Sequence, residues 1–165
     1  MFQQNLASTL NESELIKISE SKVAVVRSLW HQHITRKSLD TVINLARKYH
    51  IKQLQVYECV GAYEIPYTVK FILEKNQQPY DGIIVISCII KGETDHYFFI
   101  AHSVINTLLQ ISVNYLTPLT ISIITTENEQ QALRRAIPSA TNAFIALAKL
   151  MALHPTTINI NNHTN

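Results

Sequence analysis

The chain has 165 residues, 47% of them hydrophobic and 16% charged, which suits one domain with a sizeable core rather than a disordered segment. Its 14 basic against 12 acidic residues leave a formal charge of only +2, and no long lysine-arginine run is present to follow a phosphate backbone, so nucleic acid is not an expected partner. No apolar stretch approaches the length of a bilayer span, and the polar start Met1-Phe-Gln-Gln-Asn5 lacks the charged and greasy regions of a secretion signal, so a cytoplasmic location without membrane contact is expected.

Residues 1–20 are assigned to an N-terminal leader, 21–153 to the domain, and 154–165 to a polar tail expected to be mobile. Lys22-Val-Ala-Val-Val-Arg27 reads as a first strand, followed by a polar-aromatic loop from Ser28 to His33. Leu39, Val42, Ile43, Ala46 and Tyr49 then recur at helical spacing, with Arg36, Lys37, Asp40, Arg47 and Lys48 available for the wet face. Gln53 to Val60 reads as strand two, and Gly61-Ala-Tyr-Glu-Ile-Pro66 as a turn with proline near the start of a helix that runs to about Lys75. After the turn Pro79-Tyr-Asp-Gly82, the continuously apolar, β-branched run from Gly82 to Ile90 predicts a strand buried on both faces. Tyr97 to Gln110 reads as a helix and Pro118 to Ile124 as strand four. Two helical stretches close the domain, Glu127 to Ala136 and Ala140 to Leu153, with Pro138 breaking or kinking them.

Strands alternating with helices imply a four-stranded parallel sheet covered on both faces, and in such sheets ligands bind beyond the carboxyl ends of the strands. The clusters around Trp30, Gly61 and Gly92 each follow a predicted strand and should gather on that rim. The chain holds only three glycines, which excludes a dinucleotide fingerprint and a Walker loop. Cys59 and Cys88 fall in predicted strands, where a reduced cysteine acts as a small hydrophobe.

The segment Ile89-Ile-Lys-Gly-Glu-Thr-Asp-His96 passes from an apolar strand into glycine, hydroxyl, carboxylate and imidazole. Free N–H groups at the helix start that follows favour an anion such as phosphate, although Thr94 or Asp95 can equally serve as a plain helix cap. Trp30 offers a flat ring for a heteroaromatic ligand or packs on the rim. Glu64 either caps the next helix or accepts hydrogen bonds from a polyol, and Lys91 attracts an anion or is a surface lysine. His31 and His33 alternate, yet no third ligand with matching spacing is apparent, so no metal site is assigned. His102 reads as a structural or interface histidine, and Arg134 and Arg135 are equal candidates for a phosphate contact.

Taken together, three segments resemble the lumazine synthase family of riboflavin biosynthesis, over about Lys22 to about Leu153. They are Gly61-Ala-Tyr-Glu-Ile-Pro66, Ile89-Ile-Lys-Gly-Glu-Thr-Asp-His96, and Thr125-Thr-Glu-Asn with Glu129, Gln130, Ala132, Arg135 and Ala136. Trp30-His31 stands where many members have phenylalanine-asparagine and resembles a tryptophan-histidine subgroup.

The resemblance implies a flavodoxin-like three-layer αβα domain, assembly into pentamers that in some members pair as decamers or close into shells, and no cofactor or metal. It implies condensation of two small molecules, 5-amino-6-(D-ribitylamino)uracil and 3,4-dihydroxy-2-butanone 4-phosphate. By position, Trp30 stacks on the pyrimidine, Ala62, Tyr63 and Glu64 hold the ring edge and ribityl chain, and backbone around Cys88, Ile89 and Ile90 completes that pocket. Lys91, Gly92, Glu93 and Thr94 face the phosphate ketone, and His96 matches the proton-transfer histidine. Arg135, matching the phosphate-binding arginine, and Ile121, at a position usually phenylalanine, come from the adjacent subunit. One departure is larger: Ile137-Pro-Ser-Ala-Thr-Asn-Ala143 replaces the family's glycine-lysine-rich stretch. The alternatives are a non-catalytic lumazine- or flavin-binding or shell-forming homologue, and an unrelated flavodoxin-like phosphate-binding regulator.

Overall fold

The computed structural model describes residues 10–76 and 78–153. Four strands, β1 (Lys22–Ser28), β2 (Gln53–Cys59), β3 (Gly82–Ile90) and β4 (Leu119–Thr126), form one all-parallel sheet in the order β2-β1-β3-β4. The chain steps outward from β1 to β2 and then returns past β1 to β3. That reversal leaves a crevice above the carboxyl ends of β1 and β3.

Alternate residues of the central strands feed two cores, as the period of a strand requires. Val23, Val25, Ile84 and Ile86 pack under α1 (Glu12–Glu20), α2 (Gln32–Lys48) and α5 (Glu129–Ala152). Ala24, Val26, Ile83 and Val85 pack under α3 (Ile65–Lys75) and α4 (His96–Tyr115). The result is the expected three-layer, flavodoxin-like sandwich. β3 is buried from Gly82 to Cys88, as its unbroken apolar run predicts, whereas the edge strand β2 has no fully buried residue.

Five elements differ from the sequence reading. Residues 12–20, to which that reading gave no structure, form α1: Asn11 accepts from the Glu14 amide while Glu14 accepts from the Asn11 amide, a capping box, and Lys149 of α5 donates to Glu14 at 3.0 Å. Helix α2 starts at Gln32, so His33 is in its first turn rather than in a loop. Helix α4 runs on to Tyr115 and β4 on to Thr126.

Most informative is α5, in which the two helical stretches expected on either side of Pro138 form one continuous helix rather than breaking there. An interior proline costs about 3 kcal/mol or more. Against it stand Ala132, Ala136, Ala140 and Ala143, a buried stripe that lets the helix lie close on the sheet, and Phe144, Leu147, Ala148 and Met151 beyond it. Burying Phe144 and Leu147 alone contributes about 1.5–3 kcal/mol each, so packing outweighs the proline. Side chains also serve the carbonyls nearby: Ser38 Oγ donates to the Ala136 carbonyl at 3.1 Å and Thr141 Oγ1 to that of Ile137 at 3.0 Å.

The tail assigned to 154–165 lies outside the described residues. Among the described residues no helix is long and apolar enough to cross a membrane.

Candidate active site

Three strand ends build one cleft. After β1 the Leu29 amide donates to the Cys59 carbonyl at 2.9 Å and the Trp30 amide to that of Val60 at 3.2 Å, which ties the first turn to the second. Trp30 is left 67% exposed, presenting its ring rather than packing it away. After β2, Gly61 lets the chain fold tightly: its amide donates to Glu64 Oε2 at 2.9 Å, and a Cβ built there would lie 2.9 Å from the same oxygen. The Glu64 side chain therefore turns back into its own turn instead of capping α3. After β3, Asp95 is the N-cap of α4 but makes no side-chain cap bond, and Thr94 Oγ1 accepts only a long 3.4 Å bond from the His96 amide. The positive end of the α4 dipole thus faces the cleft with little local satisfaction, an arrangement that suits an anion.

The cleft encloses about 390 Å³. Trp30, Ala62, Tyr63, Glu64, Cys88, Ile89, Ile90, Gly92, Thr94 and His96 line it together, although they come from three separate stretches of sequence. The aromatic, the carboxylate and the imidazole thus share a chamber suited to a flat polar ring and its substituents.

The 6,7-dimethyl-8-ribityllumazine synthase family model matches residues 20–154. A 6,7-dimethyl-8-ribityllumazine synthase of Limosilactobacillus reuteri is 31% identical over 119 residues, covering 72% of this chain and 77% of that protein. The proteins of that name from Buchnera aphidicola subsp. Schizaphis graminum (34% over 125 residues, 73% and 77%) and Bdellovibrio bacteriovorus (33% over 115 residues, 70% and 63%) are similar as well. The chain belongs to the 6,7-dimethyl-8-ribityllumazine synthase family.

Not every residue singled out from the lumazine synthase resemblance sits in the cleft. Lys91 and Glu93 are exposed beside it, and the Lys91 ammonium lies 5.9 Å from the centre of the Tyr97 ring, which does line it. Arg135 and Ile121 line a different feature, an open groove of about 1120 Å³ along β4 between α4 and α5, where Arg134 joins them. Within one chain these groups are therefore apart from His96 and Trp30. The two alternating histidines also separate: His31 lines the cleft, whereas His33 Nε2 lies 2.8 Å from Glu129 Oε1. His102 bonds Asn106 at 3.1 Å and stacks on Phe98, outside the cleft.

Apart from Gly61, which was singled out only as part of a turn motif, four lining residues escaped the sequence reading as ligand contacts: His31, Val60, Tyr97 and Ile100. Ile100 follows His96 by four residues, a helical spacing that puts both on one face and was available as a signal. His31 is left-handed, with φ 52° and ψ 44°, a turn into α2 that no motif announces. Burial pushes the thiols of Cys88 and Cys59 up to about 11, with neighbouring Glu129 and Glu64 charges adding to it, so both stay protonated and unreactive at neutral pH.

Proposed function

We propose that this cleft, completed by a neighbouring copy of the chain, is where the enzyme works. The chain is a transferase of riboflavin biosynthesis: it condenses 5-amino-6-(D-ribitylamino)uracil with 3,4-dihydroxy-2-butanone 4-phosphate to 6,7-dimethyl-8-ribityllumazine, phosphate and water. The supporting observation is the convergence of Trp30, Glu64 and His96 on one cleft beside the uncapped start of α4.

Trp30 stacks on the pyrimidine. Ala62, Tyr63 and Glu64 hold the ring edge and ribityl hydroxyls, with backbone at Cys88, Ile89 and Ile90 closing the pocket. Gly92, Glu93 and Thr94 with the α4 amides take the phosphate ketone, and Lys91 adds positive charge. The amine attacks the ketone carbon and a first water leaves; phosphate is then eliminated, the resulting enol becomes a carbonyl, and the ribitylamine nitrogen closes on that carbonyl with loss of a second water. Each step moves a proton, and His96 carries them, since an imidazole changes charge near neutral pH. Holding an amine and a ketone together supplies much of the acceleration, because that pair needs little further activation.

Arg135 and Ile121 enter from the adjacent chain in a pentameric ring. Two unlike apolar faces support this reading: Tyr63, Tyr67 and Phe71 lie exposed on the α3 side, and Phe99, Leu109, Val113 and Ile121 on the α4 and β4 side. Joining unlike faces head to tail generates a ring when the rotation between copies closes. The enzyme works in the cytoplasm on small soluble substrates. Mixing the purified protein with both substrates and following lumazine absorbance tests the reaction, and sedimentation tests the ring; absence of product refutes the catalytic reading, and a monomer refutes the shared site.

A further inference from the structure

The walls of the cleft hang on the ends of two strands whose mutual register is weakly fixed by burial. β2 is an edge strand that pairs only with β1, and its Gln53, Gln55, Val56 and Glu58 are all exposed. Only Leu54 on one face and Tyr57 and Cys59 on the other are half-buried against the cores, so burial holds the register lightly, and a slip of one residue would carry Gly61 about 3.3 Å along Trp30. The backbone ladder re-forms in a slipped register and does not prevent it.

The side-chain contacts do not re-form: Tyr80 meets Gln55 and Tyr57, Cys59 Sγ donates to the Arg27 carbonyl at 3.7 Å, and one further contact carries charge. Arg27 stands directly opposite Glu58 in the β1–β2 register and is only 4% exposed, and its Nη2 donates to Glu58 Oε1. Its Nε and Nη1 are buried without a partner. A guanidinium held by a single nitrogen inside a sheet layer is costly, and replacing such a pair by apolar residues is often neutral or stabilising. Among the described residues it is the only ion pair that joins two strands. Three residues beyond Arg27 comes Trp30, and three beyond Glu58 comes Gly61.

We propose that Arg27, held by Glu58, is a positioning residue that locks β2 on β1 and so sets the spacing between the Trp30 indole and the Gly61–Glu64 turn. The ligand it serves is the ribitylaminouracil, so the inference rests on the reading of the cleft given above. The cost of the buried charge is retained because its directionality specifies one register, which a greasy contact at an edge strand does not.

The test compares the wild-type chain with Arg27→Lys and with the double variant Arg27→Met/Glu58→Leu, which leaves no unpaired charge. Trp30 is the single tryptophan, so its emission reports the cleft directly. In the double variant the thermal midpoint is equal or higher, while KM for the ribitylaminouracil rises roughly tenfold and quenching of Trp30 by that substrate moves to correspondingly higher concentration. KM for the phosphate ketone stays close to the wild-type value, and Arg27→Lys, which keeps one donor nitrogen, recovers part of the loss. Wild-type affinity in a folded double variant, or an equal loss for both substrates, overturns the inference while leaving the reaction intact. A wild-type protein that makes no lumazine and shows no quenching overturns the cleft reading and this inference with it.

Discussion

Replacing Gly61 by alanine separates the stability of the site from its function. Gly61 does not have a positive φ, so alanine meets no backbone strain there. Its new methyl would sit 2.9 Å from Glu64 Oε2 and 4.0 Å from Trp30 Cδ1, so the contact that must give is the free end of a flexible side chain. The carboxylate swings out and surrenders its 2.9 Å bond from the Gly61 amide, which water in the cleft can then reach. Losing that partly wet bond costs about 1–1.5 kcal/mol, while replacing glycine gains about 0.4–1 kcal/mol through the unfolded chain. The net loss is below about 1 kcal/mol, which at this chain length lowers the melting temperature by less than about 4 °C. Function suffers more, because Glu64 leaves the place where it would hold the ribityl chain: kcat/KM for the ribitylaminouracil falls roughly 10- to 100-fold. KM for the phosphate ketone is spared. Thermal unfolding combined with steady-state lumazine formation, each substrate varied in turn, measures both quantities. A melting temperature lowered by more than about 8 °C, or kinetics like the wild type, refutes the reasoning.

Other changes address the core, the chemistry and the pH response. Phe144→Ala removes a fully buried ring that stacks on Tyr49 at 5.8 Å between centroids, and urea unfolding should show a loss of about 3–5 kcal/mol. His96→Ala should lower kcat about 10²-fold with modest effect on either KM, whereas Arg135→Ala should chiefly raise KM for the phosphate ketone; unchanged kinetics in both removes those roles. The thiols of Cys59 and Cys88 are pushed up to about 11 from 9.0 by burial, so the folded chain holds their protons longer than the unfolded chain. Their contribution is full below pH 9 and is lost as pH rises toward 11, and Cys59→Ala/Cys88→Ala should flatten that part of the curve of urea midpoint against pH.

The sheet was legible because its signals are redundant. β3 starts and ends where its apolar run does, since a strand buried on both faces tolerates nothing else. Helix α5 was misread for the opposite reason: Pro138 is a strong local signal, and the alanine stripe that overrules it acts only against a sheet distant in sequence. Helix α1 escaped notice because it is nine residues long with one fully buried apolar position, Ile18, and owes its place to a capping box and a lysine 135 residues away. Such dependence on remote partners leaves little trace in a local window.

The cleft follows the same division. Trp30, Gly61 and Gly92 were found because each breaks the pattern of the strand before it, and a parallel sheet puts all such breaks on one rim. Residues that join by position rather than by type were missed, such as Val60, which lines the cleft only because β2 ends one residue earlier. Arg135 marks a limit that no single chain removes. Its groove lies along β4, at the opposite edge of the sheet from β2, and Arg135 is not among the residues that line the cleft of its own chain. If Arg135 takes part in the reaction, it does so in the cleft of a neighbouring chain, and mixing His96→Ala with Arg135→Ala protomers should then recover activity that neither variant has alone.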